Sequence, residues 1–167
     1  MKKIFILTLL LALASVRGYS AETKSIGSPT GKINTNLITT ILLNDLNLGY
    51  EGKIDKNRSF LVGSHLNSTK YNKDMTGDYG FFGGLRIYNS DSLFGPFMQV
   101  TLGLNHETIS YENNTSGIIP SLELWIGRSD LFTDPIFIEY GIGIGKKFKS
   151  AAEPFFMAAV NIGFVLN

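Results

Sequence analysis

The feature that most constrains this chain is a period of two. From about residue 32 to the end, eight segments set bulky apolar residues at every second position. In the seventh segment Ile136, Ile138, Tyr140, Ile142 and Ile144 alternate with Phe137, Glu139, Gly141, Gly143 and Gly145. In the fifth, Phe94, Pro96, Met98, Val100, Leu102 and Leu104 alternate with Gly95, Phe97, Gln99, Thr101, Gly103 and Asn105. The second, fourth, sixth and eighth segments behave the same way; the first (about 32–42) and third (about 59–66) are less regular. Successive side chains of a strand point to opposite faces, so each segment reads as a strand with one bulky apolar face and one mixed face. No stretch of the mature chain carries a convincing 3.6-residue apolar stripe.

The chemistry of the two faces sets the direction. A soluble barrel is polar outside and apolar inside. Here the uniform face is the one whose residues need no partner, as lipid demands, and the mixed face holds groups that need partners, as a filled lumen provides. Several segments run to about 9–11 residues, the length of a tilted transmembrane strand. The predicted fold is all-β: an eight-stranded antiparallel up-and-down transmembrane barrel over 32–167. With the N-terminus in the periplasm, the outer joins are NSTKYNKDMTGD, ETISYENNTSG and KKFKSAAEP, and the inner ones IDKNR, YNSDSL and RSDLFTD. Long outside and short inside is the pattern of such barrels. The first outer join, around Leu43-Asn44-Asp45, is predicted to be short.

The beginning of the chain reads as a targeting segment. Lys2 and Lys3 precede an apolar run from Ile4 to Ala14, and small residues follow at Gly18, Ser20 and Ala21. That run is well short of the about 20 residues a spanning helix needs, so export with cleavage near residue 20 is expected. Residues 21–31 form a polar, turn-rich lead-in. The composition removes several function classes. There is no cysteine, hence no disulfide, thiolate metal site or thiol nucleophile, and only two histidines. A formal net charge of +1 offers no attraction to nucleic acid. No cofactor or metal is implied.

The segment NLITTILLNDLNLGYEGKIDKNRSFLVGS, with Asn36-Leu37, Tyr50-Glu51, Asn57 and Ser59, resembles the opening of a family of small bacterial outer-membrane barrels of unknown function. GFFGGLRIYNSDSLFGPFMQV resembles that family's middle, a glycine-aromatic strand ending in Arg86-x-Tyr88 followed by a turn and a Gly-x-Phe strand. The resemblance implies an OmpA/OmpX-type eight-stranded barrel located in the bacterial outer membrane. It also implies a terminal aromatic residue, whereas here the last aromatic is Phe164.

Three groups of residues are candidates for chemistry. Glu51, Lys53, Arg86, Gln99, Glu123 and Glu139 lie on the mixed face. Strand direction puts Glu51, Arg86 and Glu139 together near the periplasmic end, with Glu123 and Gln99 nearer mid-height. Arg86 offers a planar fork of donors to two carboxylates, and the expected role is a paired polar plug in a lumen too narrow for a channel. The second group is His106, Ser110 and Glu112, with Thr108, spaced two apart at the outer end of strand five. It supplies the ingredients of hydroxyl–imidazole–carboxylate catalysis and defines an alternative, an outer-leaflet lipid-modifying enzyme such as a lipid A deacylase. The third group lies in the outer loops: Asn67, Lys70, Tyr71, Lys73, Tyr111 and Asn113, the expected contacts with lipopolysaccharide or a surface partner. Asn67-Ser68-Thr69 and Asn113-Asn114-Thr115 match a glycosylation pattern, but in an exported bacterial-type chain they read as plain polar loop. Tyr50, Tyr79, Phe94, Phe132 and Phe156 are candidate interfacial aromatics, and His65 a candidate interior hydrogen-bonding residue. A monomeric structural or surface-interaction barrel is the leading reading. A soluble periplasmic ligand-binding barrel is a third.

Overall fold

A computed structural model describes residues 29–43, 45–67, 79–110, 115–148 and 153–167. Eight antiparallel strands close into a barrel in sequence order: β1 Gly31–Asn36, β2 Asp45–Lys53, β3 Arg58–Asn67, β4 Tyr79–Tyr88, β5 Gly95–Ser110, β6 Thr115–Thr133, β7 Ile136–Lys147 and β8 Phe155–Leu166. Closure comes from β1 pairing with β8, Ile33 opposite Phe164 and Asn36 opposite Asn161. A closed sheet of this kind has no open edge.

The alternation read from the sequence is the alternation of the barrel wall. Outward side chains are bulky and exposed, with Met98 at 68%, Leu102 at 63% and Ile118 at 71%. Inward residues of the same strands mix small and polar side chains with a few large ones such as Phe97, Ile119 and Trp125, and are buried or half-buried. Glycine on the inner face leaves room for large neighbours where the lumen is tight. A Cβ at Gly143 would stand 2.7 Å from the Trp125 ring, and one at Gly145 would meet the Phe155 ring at 2.6 Å.

Three joins depart from the sequence reading. The first strand was expected over about 32–42, but β1 stops at Asn36 and Leu37–Leu43 form a helix, α1. The cause is local. Asn36 Oδ1 accepts the backbone N–H groups of Ile38 (3.0 Å) and Thr39 (3.2 Å), an N-cap. The following LITTILL pairs apolar residues at three- and four-residue spacing, without alternation. The inner join expected at RSDLFTD is mostly strand: β6 runs to Thr133 and the turn is Asp134-Pro135, with a cis peptide bond. The outer join expected at ETISYENNTSG is likewise shortened, because β5 continues to Ser110 and β6 begins at Thr115, with a register shift between Thr108 and Ser110.

The short-turn end also carries both described termini. Thr30 N–H donates to the Leu166 carbonyl (3.0 Å), so the last residues of the expected lead-in are tied to the sheet. The turn between β4 and β5 folds under the barrel, burying Leu93 completely against Tyr88 and Phe97. Gly95 leaves that turn at φ +96°, a conformation open to glycine. The targeting segment 1–20 lies outside the described residues.

Candidate functional site

The inward face near the short-turn end holds four buried charges: Lys32 on β1, Glu51 on β2, Arg86 on β4 and Glu139 on β7. Each is at most 3% exposed, and the set is formally neutral. Arg86 is its hub. Its Nη1 donates to Glu51 Oε2 (3.0 Å) and Glu139 Oε2 (2.5 Å), and its Nη2 to Glu139 Oε1 (2.9 Å). The bond pair to Glu139 is the two-pronged match of guanidinium to carboxylate. Gln99 Oε1 accepts from Arg86 Nε (3.0 Å) and Nη2 (2.5 Å), and the Phe97 ring centre lies 3.9 Å from the guanidinium carbon.

The remaining valences are met as closely. Glu51 Oε1 accepts from the Ser59 hydroxyl (2.5 Å) and the Tyr88 hydroxyl (2.7 Å). Lys32 donates to Tyr88 Oη (3.0 Å) and Ser129 Oγ (2.8 Å), with Glu51 Oε2 at 3.7 Å. Its ammonium sits among the rings of Tyr88, Phe94 and Phe137, whose centres are 4.7–5.1 Å away. Glu139 Oε1 also accepts from Asn161 Nδ2 (3.0 Å). A carboxylate whose oxygens are already engaged by several donors is a poor base or nucleophile. The arrangement can hold strands together, and it offers no open reacting group.

Above this cluster, towards the other end of the barrel, lies a cavity of about 150 Å³. Glu123, Trp125, Asn34, Asn47, His65 and Asn105 are among its walls, and Arg86 and Glu139 contribute to its lining. Trp125 Nε1 donates to Glu123 Oε2 (3.0 Å), and Asn105 Nδ2 to the Ile119 carbonyl (3.2 Å) and Ser121 Oγ (3.1 Å). Among the described residues no cluster of three or more His, Cys, Asp or Glu is placed to hold a metal.

The structure thus brings Glu51, Arg86, Glu139 and Gln99 into one network, with Glu123 separate and higher. Lys53 does not join. It is half-buried two residues beyond Glu51 at the strand end, opposite Ser59, and takes part in none of the cluster's bonds. Phe94, expected on the outer face, instead packs on Lys32, because the turn carrying it folds inward. Tyr50, Tyr79, Phe132 and Phe156 do face outward and are exposed. His65 faces the lumen beside Gly80. His106 lies on the outer face, stacked on Tyr79 with ring centres 4.7 Å apart, and its buried Nδ1 has no hydrogen-bond partner among the described residues. Lys70, Tyr71, Lys73, Tyr111, Glu112 and Asn113 lie outside the described residues, and of Asn67 and Ser110 only the backbone is described.

Sequence reasoning missed Lys32, Tyr88, Ser59, Ser129 and Asn161 as members of the network. Lys32 was legible in principle: it precedes outward-facing Ile33 and shares parity with Asn34. Tyr88 shares a strand face with Arg86, but only the folded strand shows it bridging Lys32, Arg86 and Glu51.

No family model matches the chain, and no curated protein matches it. Among solved structures, the N-terminal β-barrel domain of Pseudomonas aeruginosa OprF is similar, with a TM-score of 0.60 over 83% of this chain and 99% of that domain at 10% identity. At that identity the likeness is one of fold, and what the chain shares with that domain is a closed, eight-stranded, antiparallel up-and-down barrel.

Proposed function

We propose that this chain is a small outer-membrane barrel with a structural or surface-interaction role, its lumen plugged and its outer loops the recognising surface. The observation that carries this reading is the inversion of the two faces. Ile118, Leu102, Ile142 and Phe156 stand 62–88% exposed around the outside, while Lys32, Glu51, Arg86 and Glu139 are shut inside. In water that distribution exposes apolar surface around the whole circumference, far beyond the few hundred Å² usual for a soluble monomer. In a bilayer it is the low-energy arrangement. The neutral quartet and the turn at Leu93 obstruct the inner end, which argues for a plug over a channel. The fold shared with the OprF domain supports the barrel half of this reading.

The test is membrane fractionation with a heat-modifiability gel on the full chain. A membrane-bound band that shifts on boiling is expected; recovery wholly in the soluble fraction would overturn the reading and favour the soluble ligand-binding barrel. The lipid-modifying alternative is tested separately by mass spectrometry of lipid A from strains with the protein, without it, and with His106→Ala. Identical lipid A in the three strains is expected; a modification present only with intact His106 would establish an enzyme.

A further inference from the structure

We propose that the chamber above the plug opens sideways, through a seam between β2 and β8 that α1 closes, and takes in the neutral, hydroxyl-bearing head of a single-chain amphiphile from the bilayer. This inference rests on the lipid-facing reading of the wall. The unequal lengths of the strands carry the argument. β1 ends at Asn36, opposite Asn161, while its neighbours continue. Among the described residues, 155–160 of β8 then pair with β7 alone, and 45–47 of β2 with β3 alone. About half of the N–H and C=O groups on each stretch point into the seam, away from the one partner strand. The unpaired stretch of β8 spans about 20 Å, whereas the seven residues of α1 span about 10 Å. The seam stands at the height of the apolar wall, since β8 there pairs with Ile142 and Ile144 of β7, both outward and exposed. Strand backbone left unpaired at that depth is tolerated only against protein or a polar cavity.

α1 is a light closure. It packs against β1, β2 and β8, and two side chains tie it down: Asn36 Oδ1 caps its start, and Thr40 Oγ1 donates to the Asp45 carbonyl (3.2 Å). Its seven residues fall well below the about 12 that a helix needs to hold together by itself. Outside the seam, Ile41, Leu46, Leu48 and Phe156 are 55–88% exposed and offer apolar surface to an acyl chain. Inside it stand amides: Asn34 and Asn36 from β1, Asn47 from β2 and Asn161 from β8 all line the chamber. An amide carries both donors and an acceptor, and so does a hydroxyl group, so the two match. Asp45, Glu123 and Lys147, charges of both signs, take inward positions towards the outer end, so no single sign of head is selected. The volume of about 150 Å³ holds roughly five waters or a head of glycerol size. An acyl chain has to stay outside, and the seam is where it leaves.

The full chain, inserted in phosphatidylcholine vesicles and checked by its heat-modifiable band, is irradiated with a monoacylglycerol that carries a diazirine in its acyl chain. Mass spectrometry then maps the labels. Labels concentrated on α1, on residues 45–48 of β2 and on residues 155–160 of β8, and removed by unlabelled monooctanoylglycerol, are expected. An even spread that includes Met98 and Leu102 on the opposite wall, or seam labels that the competitor leaves in place, would overturn the proposal. Trp125 lines the chamber and is the single tryptophan, so its fluorescence places the head. A saturable change with monooctanoylglycerol, and none with glycerol or octyl sulfate at the same concentration, is expected. Its midpoint should rise about fivefold in Asn47→Leu, the loss of roughly one hydrogen bond. No saturable change, an equal response to octyl sulfate or glycerol, or an unaltered midpoint in Asn47→Leu would refute the amide-lined site. If Asn47→Leu gives no heat-modifiable band, the label map on the natural chain decides. A chain that does not insert brings down the lipid-facing reading together with this one, whereas a chain that inserts and labels evenly brings down this one alone.

Discussion

Replacing Arg86 by leucine tests whether the buried quartet holds the barrel together. The guanidinium makes six hydrogen bonds, to Glu51, Glu139 (two), Gln99 (two) and Tyr88, and is 3% exposed. Its loss leaves Glu139 with only the Asn161 amide as a described partner, while Glu51 keeps Ser59, Tyr88 and the more distant Lys32. Removing one partner of a buried ion pair costs about 3–5 kcal/mol, most of it from the charge left behind. With a urea slope of about 2 kcal/mol per molar, the unfolding midpoint of the barrel in detergent or vesicles should fall by roughly 2 M. The sharper measurement is the double variant Arg86→Leu/Glu139→Gln. It removes the stranded anion and keeps the amide partner for Asn161, and Lys32 with Glu51 remains neutral. It should recover about 2 kcal/mol of the loss, as coupled neighbours do in a double-mutant cycle. An unchanged midpoint for Arg86→Leu, or a double variant as unstable as the sum of the singles, would refute the account of the plug.

Leu102→Arg places a charge on the outer face at mid-strand, where Leu102 is 63% exposed. In vesicles it should destabilise by about 2–4 kcal/mol, and a change within about 0.5 kcal/mol, as on a watery surface, would contradict the lipid-facing reading. Gly143→Val drives a side chain into Trp125 from 2.7 Å and should lower stability by about 1–3 kcal/mol with a shifted tryptophan emission; an unaltered spectrum and midpoint would show that the ring has room to move. At the β2–β3 turn, Arg58 Nε donates to Asp55 Oδ2 (2.6 Å) and holds the Asp55 carboxyl below its ordinary value of 3.8. A depressed acid stabilises above its unfolded value and loses that contribution as the pH falls through the folded one. Carbon-detected NMR should therefore show Asp55 titrating below 3.8, moving back up in Arg58→Ala, and a titration at or above 3.8 in the natural chain would rule out the pairing.

Much of the wall was legible in the linear sequence, because period two is a property of each strand by itself. Met98-Gln99-Val100-Thr101-Leu102 declares its two faces whatever it pairs with. The ends of the elements were less legible. Leu37–Leu43 is as apolar as a strand of this wall, and only the Asn36 side chain turning onto the Ile38 and Thr39 amides shows the switch to helix. Arg128–Thr133 has the polarity of a loop but remains in β6, where Arg128 and Asp130 pair on the outer face with Nε–Oδ1 at 2.8 Å. Charge and polarity mark solvent or interface there, not the end of hydrogen bonding to β7.

Parity along each strand, fixed by the order of residues, sends Glu51, Arg86, Glu123 and Glu139 inward, and strand direction alone brings three of them to one end. The tertiary structure decided the rest, because register and turn geometry are settled by pairing across the closed sheet. Ser59 lies opposite Arg86 and Glu139 opposite Asn161, which selects the hydroxyl and amide that complete the bonds. Pairing of β1 with β2 sets Lys32 directly opposite Glu51 and delivers the fourth charge, and closure on β8 sets it beside Val165. Along β6, Ser129 pairs with Glu139 and Glu123 with Gly145, so Glu123 stands above the quartet, as strand direction implied, and one carboxylate faces a chamber while two are locked in the plug.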